Sequence, residues 1–117
     1  MKSRRKTLGN SKIETYFGFC IRARKAVFGT DDIESQKKGV KLIVCDNSLS
    51  ENSLKKIYKA QERFHCPLLM TETDCLGELL HKPAVKAVGI KDEHLAAAIL
   101  VAAEHEPKFK FYSGGNN

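Results

Sequence analysis

The stretch GTDDIESQKKGVKLIVCD, residues 29–46, holds a short polar helix that feeds directly into the clearest strand of the chain. Thr30 can cap the free amides of the helix start, Asp31 and Asp32 stand in the first turn where negative charge suits the helix dipole, and Lys37 and Lys38 stand in the last. Gly39 then takes the place just past the helix end, where a left-handed backbone favours glycine. Leu42, Ile43, Val44 and Cys45 follow as an unbroken apolar run. That pattern belongs to a strand covered on both faces, the usual condition of an inner strand in a layered α/β domain.

Upstream, Ala26, Val27 and Phe28 read as a short strand entering the Gly29 turn. Before it, the spacing of Ser11 to Glu14 fits a capping box, and Ile13, Phe17, Cys20 and Ile21 fall on one face of the helix it opens. Arg22, Arg24 and Lys25 crowd the end of that helix, where cations complement the dipole, and are expected to lie near the start of the second helix. Lys2, Arg4, Arg5 and Lys6 precede any apolar periodicity, so residues 1–9 read as a basic flexible arm.

Downstream, Asn47-Ser48 makes a turn and Ser50 caps a third helix running to about Phe64. Leu54, Ile57, Tyr58 and Phe64 form its buried stripe, and Lys55, Lys56, Lys59, Gln61, Glu62 and Arg63 a solvated outer face. His65-Cys66-Pro67 ends the helix, because the residue before proline avoids the α region, and Leu68, Leu69 and Met70 make a second apolar strand. Thr73 or Asp74 opens a short helix containing Leu76, Leu79 and Leu80, closed by His81-Lys82-Pro83. AVKAVGI, residues 84–90, reads as the last strand, and Asp92 caps a helix from Glu93 to about Glu106 whose core face is Leu95, Ile99, Leu100 and Ala103. Pro107 stops it. KFKFYSGGNN, residues 108–117, reads as a loose tail whose Phe109, Phe111 and Tyr112 either dock on the body or stay exposed, where alternating lysines and aromatics could stack on single-stranded RNA.

This alternation predicts an α/β fold: a single-domain, three-layer α-β-α sandwich with a mixed four-stranded sheet over residues 10–106, followed by a tail over residues 107–117. The 117 residues suit one domain, and 42% hydrophobic residues suffice for one core. No apolar run approaches the roughly 20 residues of a membrane helix, and the basic start leads into an amphipathic helix instead of a signal-peptide core, so a cytoplasmic protein with no membrane partner is expected.

Cys20, Cys45, Cys66 and Cys75 are spread singly and are expected to be small reduced core residues. His65 beside Cys66 lacks a second pair with ligand spacing, and adjacent carboxylates such as Asp31 and Asp32 at a helix start serve the dipole, so no metal is expected. There is no Gly-x-Gly-x-x-Gly, no phosphate-loop Gly-Lys-Ser/Thr and no Gly-x-Ser-x-Gly elbow. No catalytic residue and no cofactor are therefore expected. The formal net charge of +6, from 20 basic against 14 acidic residues, favours a polyanionic partner.

Three stretches carry a resemblance: FGFCIRARKAVFG (residues 17–29), KGVKLIVCDNSLSENSLKKI (residues 38–57) and LGELLHKPAVKAVGIKDEHLAAAI (residues 76–99). Together, over roughly residues 10 to 103, the chain resembles the ribosomal L-seven-Ae/L-thirty-e family of kink-turn RNA binders, and in particular its small bacterial branch. The resemblance implies an RNA surface made by the turn entering the second helix, Gly29, Thr30, Asp31 and Asp32, with the loop before the last strand, Lys82 to Val85. Glycine would let the backbone approach, helix-start amides would favour phosphate, and Ala84 and Val85 would pack against an extruded base. The chain departs from the family pattern in having Asp31 and Asp32 where Asn and Glu stand, and Ser35 where a lysine stands, unless Lys37 takes that place.

The expectation is a non-enzymatic monomer that binds structured or ribosomal RNA, with the ribosome as a candidate partner. The basic arm, Arg22, Arg24, Lys25, Lys37, Lys38 and Lys82 would attract it by charge, and residues 29–32 with Ala84 and Val85 would read its shape. A protein-interaction module of the translation machinery with an altered RNA site is the alternative, motivated by the acidic pair.

Overall fold

The computed structural model describes residues 8–112. Lys2, Arg4, Arg5 and Lys6 of the expected arm, and residues 113–117 of the tail, lie outside the described residues. The elements in chain order are α1 (Leu8–Arg22), β1 (Ala26–Phe28), α2 (Thr30–Ser35), β2 (Leu42–Asp46), α3 (Glu51–Phe64), β3 (Leu68–Thr71), α4 (Cys75–Leu80), β4 (Ala87–Ile90), α5 (Glu93–Ala103) and β5 (Phe109–Tyr112).

One open mixed sheet runs in the order β1-β4-β2-β3-β5. β2 pairs with β3 in parallel, and every other neighbouring pair is antiparallel. β2 is central, and all five of its residues are buried. Because side chains alternate along a strand, Leu42 and Val44 enter the core beneath α1, α4 and α5, while Ile43 and Cys45 enter the core beneath α2 and α3. The expected three-layer α/β architecture is the observed one. No helix among the described residues is long and apolar enough to cross a membrane.

Among the described residues the sheet has five strands and not the expected four. The segment read as a loose tail pairs antiparallel with β3, Thr71 opposite Phe109 and Leu68 opposite Tyr112. The alternation of lysine and aromatic residues is the period of a half-covered strand: Phe109 is buried in the core beneath α1, α4 and α5 and its neighbour Lys110 is exposed, while Phe111, on the same face as Phe109, is 48% exposed at the sheet edge. The strand expected to begin at Ala84 begins at Ala87, since the Val85 N–H donates to Lys82 O at 2.9 Å and closes a turn there.

Several helix ends are where side-chain chemistry places them. Ser50 Oγ accepts the Ser53 N–H at 3.2 Å, and Asp92 Oδ1 accepts the Leu95 N–H at 2.9 Å. Other ends differ from expectation. α1 is already under way at Leu8, where Ser11 and Glu14 are i,i+3 neighbours within the helix and not its cap. α5 ends at Ala103, its last turn tightening as the Glu104, His105 and Glu106 amides donate to carbonyls three residues back. α2 has Gly29 and not Thr30 at its N-cap and stops at Ser35, so Lys37 and Lys38 are outside it. Gln36 is already extended there, with Arg63 Nη2 donating to the carbonyls of Glu34 at 2.6 Å and Gln36 at 3.0 Å.

At the end of β2, Asp46 is 1% exposed. Its Oδ1 accepts the Ser48 N–H at 3.0 Å, the Ser48 hydroxyl at 2.7 Å and the Asp74 N–H at 3.1 Å, while Oδ2 accepts the Thr71 hydroxyl and the Leu76 N–H, both at 3.2 Å. Asp74, at the N-cap of α4, makes no side-chain cap bond of its own. The α4 start is therefore capped from across the sheet by a buried carboxylate.

Candidate nucleic-acid interface

β1 and β4 pair with Ala26 opposite Ile90, Val27 opposite Gly89 and Phe28 opposite Val88. This register carries the segment after β1 and the segment before β4 to the same end of the sheet, and the Gly29 N–H donates to Ala87 O at 2.9 Å to continue the ladder. Gly29, at φ 93°, turns the chain from β1 straight into α2, whose Ile33 N–H donates to Gly29 O at 3.0 Å. Nothing lies within 4 Å of where a Gly29 Cβ would stand, so the glycine answers to its backbone angle and leaves the surface open above it.

Lys82 Nζ sits 5.1 Å from the centre of the Phe28 ring, a cation–π contact that draws the second segment over the end of β1. Ala84 is exposed and Val85 is half-buried against the α1–α5 core. On the other segment, Asp31 Oδ1 accepts from Lys56 Nζ at 3.0 Å. That hydrogen bond, with the charge of Asp31 behind it, raises the Lys56 ammonium above its ordinary range. Lys56, expected on a merely solvated face, thus offsets the acid at the start of α2. Thr30 is half-buried and Asp32 exposed beside it.

Seven expected site residues therefore come together at one end: Gly29, Thr30, Asp31, Asp32, Lys82, Ala84 and Val85. The other five do not join them. Arg22, Arg24 and Lys25 lie at the opposite end of β1, where the Lys91 N–H donates to Lys25 O at 2.7 Å, and not near the start of α2. Three extended residues at about 3.3 Å each carry the chain roughly 10 Å across the sheet between them. α2 then runs back, and delivers Lys37 and Lys38 to that same opposite end, together with Lys41 and Lys91. Sequence reasoning missed Lys41 and Lys91 in this group, although both flank strands and so mark one sheet end once the register is known.

Among the described residues no group of three His, Cys, Asp or Glu side chains could hold a metal. Cys20, Cys45 and Cys66 are buried free thiols, as expected, and Cys75 is half-buried. Burial, with the charge of Asp92 added, pushes the Cys20 thiol up to about 11, and burial with Asp46 pushes Cys45 up to about 12. Burial likewise pushes Cys66 up to about 11 and raises Cys75. At pH 7.5 these thiols stay protonated and unreactive. Native protein treated with iodoacetamide at that pH should be labelled first and slowly at Cys75, and at all four cysteines only in denaturant; rapid native labelling at Cys45 or Cys66 would contradict the packing.

Neither a protein-family model nor a curated protein matches the sequence. The fold does have solved counterparts. One, described as the structure of a protein with unknown function from Bacillus halodurans C, is similar at a TM-score of 0.67 and 17% identity, over 80% of this chain and 98% of that chain. That likeness is one of fold.

Proposed function

We propose that this chain is a non-enzymatic RNA-binding domain that recognises structured RNA, such as ribosomal RNA, in the manner of the L-seven-Ae/L-thirty-e kink-turn binders it resembles. The observation that carries the proposal is the Gly29 N–H bond to Ala87 O, at 2.9 Å, which unites the two segments the resemblance names into one surface. An open glycine at a helix entry lies at the same sheet end as a lysine and two small apolar side chains, which suits a sharply bent backbone and an unstacked base. The net charge of +6 supplies the long-range attraction.

The test is binding of the purified protein to a labelled kink-turn RNA and to a plain duplex of equal length, each at low and at physiological salt. A kink-turn preference that survives physiological salt is the expected result. Equal, salt-sensitive binding to both would leave charge attraction and remove specific reading. The second reading, a protein-interaction module of the translation machinery, is favoured by Asp31 and Asp32 at the reading position. Retention on ribosomal proteins stripped of RNA, with none on RNA, would replace the first reading by it.

A further inference from the structure

At the opposite end of the sheet the chain leaves an open cleft of about 330 Å³ between the 37–41 segment and the end of α3. Its cationic lining is Lys37, Lys38, Lys41 and Arg63, and none of its ten lining residues is acidic. These cations fall into two kinds. Arg63 is tied to the carbonyls of Glu34 and Gln36 at 2.6 and 3.0 Å, and behind the cleft Lys91 Nζ donates to Gln36 Oε1 at 3.0 Å. They hold the segment in place from both sides, and Gly39, at φ 95°, turns it. The ammonium groups of Lys37, Lys38 and Lys41, by contrast, are on exposed residues and make no hydrogen bond or ion pair among the described residues. A fixed loop thus presents three uncompensated like charges within five residues.

We propose that this cleft is a second RNA contact, separate from the 29–32 and 82–85 surface, which grips the phosphodiester backbone through Lys37, Lys38 and Lys41. The inference rests on the reading of the chain as an RNA binder. The chemistry favours a phosphate chain over a small anion. Lysines are mobile point charges with no fixed fork, and the one guanidinium of the cleft is engaged with carbonyls, so nothing there matches one compact anion at several points. Such contacts position a nucleic acid without reading its sequence. The five residues of β2 separate the two contacts by roughly 17 Å at about 3.3 Å per residue. Only an RNA that continues beyond its bent segment can touch both.

The experiment uses a kink-turn RNA continued by a duplex arm, together longer than the 41 Å long axis of the molecule. Wild-type protein, the Lys37→Ala/Lys38→Ala/Lys41→Ala triple variant and Lys82→Ala are compared by Kd across a salt series, and the wild-type backbone amides are followed by NMR during titration. The lysines being exposed, melting temperatures should match. The triple variant should bind at least about tenfold more weakly at physiological salt, with the slope of log Kd against log salt reduced by about 2 to 3, and wild-type amides of residues 37–41 and 64–66 should shift. An unchanged Kd and slope, with shifts confined to residues 29–32 and 82–85, would overturn the second contact and leave the first surface standing. Shifts confined to the cleft, with loss in the triple variant and none in Lys82→Ala, would uphold the second contact and overturn the first. No binding by either surface would overturn both.

Discussion

Asp46→Ala should lower the stability of the protein by about 4 kcal/mol and its melting temperature by roughly 15 °C. The substitution leaves four donors without their acceptor, the amides of Ser48, Asp74 and Leu76 and the hydroxyl of Ser48, while the Thr71 hydroxyl keeps the Glu72 carbonyl at 3.0 Å. Each buried donor left unpaired costs about 1–3 kcal/mol, and the Ser48 groups, being exposed, recover part of theirs from water. A loss of that size is a large share of the roughly 5–15 kcal/mol that holds a domain together. Asp46→Asn keeps one acceptor but turns an amide group toward donors, so it should fall between, at about 2 kcal/mol.

The same carboxylate gives stability a dependence on pH. Burial opposes its ionisation, but the hydrogen bonds from Ser48, Asp74 and Leu76 outweigh that and hold Asp46 below the usual carboxylate range. A depressed folded pKa contributes stability that is fully present above the unfolded value, about 3.9, and is lost as pH falls through the folded value. Urea melts at a series of pH values below 4 should therefore show wild type losing stability more steeply than Asp46→Asn. Parallel curves for the two proteins, or an alanine variant melting within a degree of wild type, would show that the carboxylate does not cap α4.

Gly77→Ala is the second large effect. Alanine gains about 1 kcal/mol of helix propensity over glycine, and a tolerant site would be stabilised. Here the new Cβ would stand 2.9 Å from Pro83 O, 3.0 Å from Pro83 Cα and 3.1 Å from Lys82 O. These are backbone atoms, which cannot swing aside as a side-chain tip can. α4 and the 82–83 segment must separate, weakening the Lys82 N–H bond to Gly77 O, now 3.0 Å. A net loss of about 1–3 kcal/mol is expected, together with a roughly tenfold weakening of RNA binding, because about 1.4 kcal/mol of misplacement at the 82–85 segment is tenfold in affinity. An alanine variant that melts higher than wild type would refute the close approach; one that melts lower yet binds RNA unchanged would separate the packing from the proposed surface.

Most of the architecture was legible because local rules and the fold agree. The unbroken run from Leu42 to Cys45 announces a strand covered on both faces, and its alternate residues do enter two different cores. Ser50 and Asp92 announce helix starts, and both cap. What stayed hidden depends on partners distant in sequence. Asp46 bonds to residues as far on as Leu76, and no local pattern marks it as a cap for another helix. The helix dipole suggests a last turn for Lys37 and Lys38, but α2 stops at Ser35, where Arg63 of α3 binds the Glu34 and Gln36 carbonyls. The basic cluster was split from the 29–32 turn by strand register, which a single sequence does not supply. KFKFY was ambiguous because the alternation that suits a stacking tail is also the period of an edge strand.

β4 lies between β1 and β2 in the sheet although it follows both in the chain, and among the described residues β1 has no other neighbour. During synthesis β1 must therefore wait, unpaired, until a strand more than fifty residues later emerges to hold it, a non-local pairing that forms late. Since that pairing also brings residues 29–32 and 82–85 together, a nascent chain ending before Ile90 carries the basic residues but not the shaped surface. On the reading proposed above, such a chain would attract RNA only by charge. Selective recognition would switch on in one step, with the pairing of β1 and β4, so a fragment truncated within α4 should be indiscriminate rather than silent.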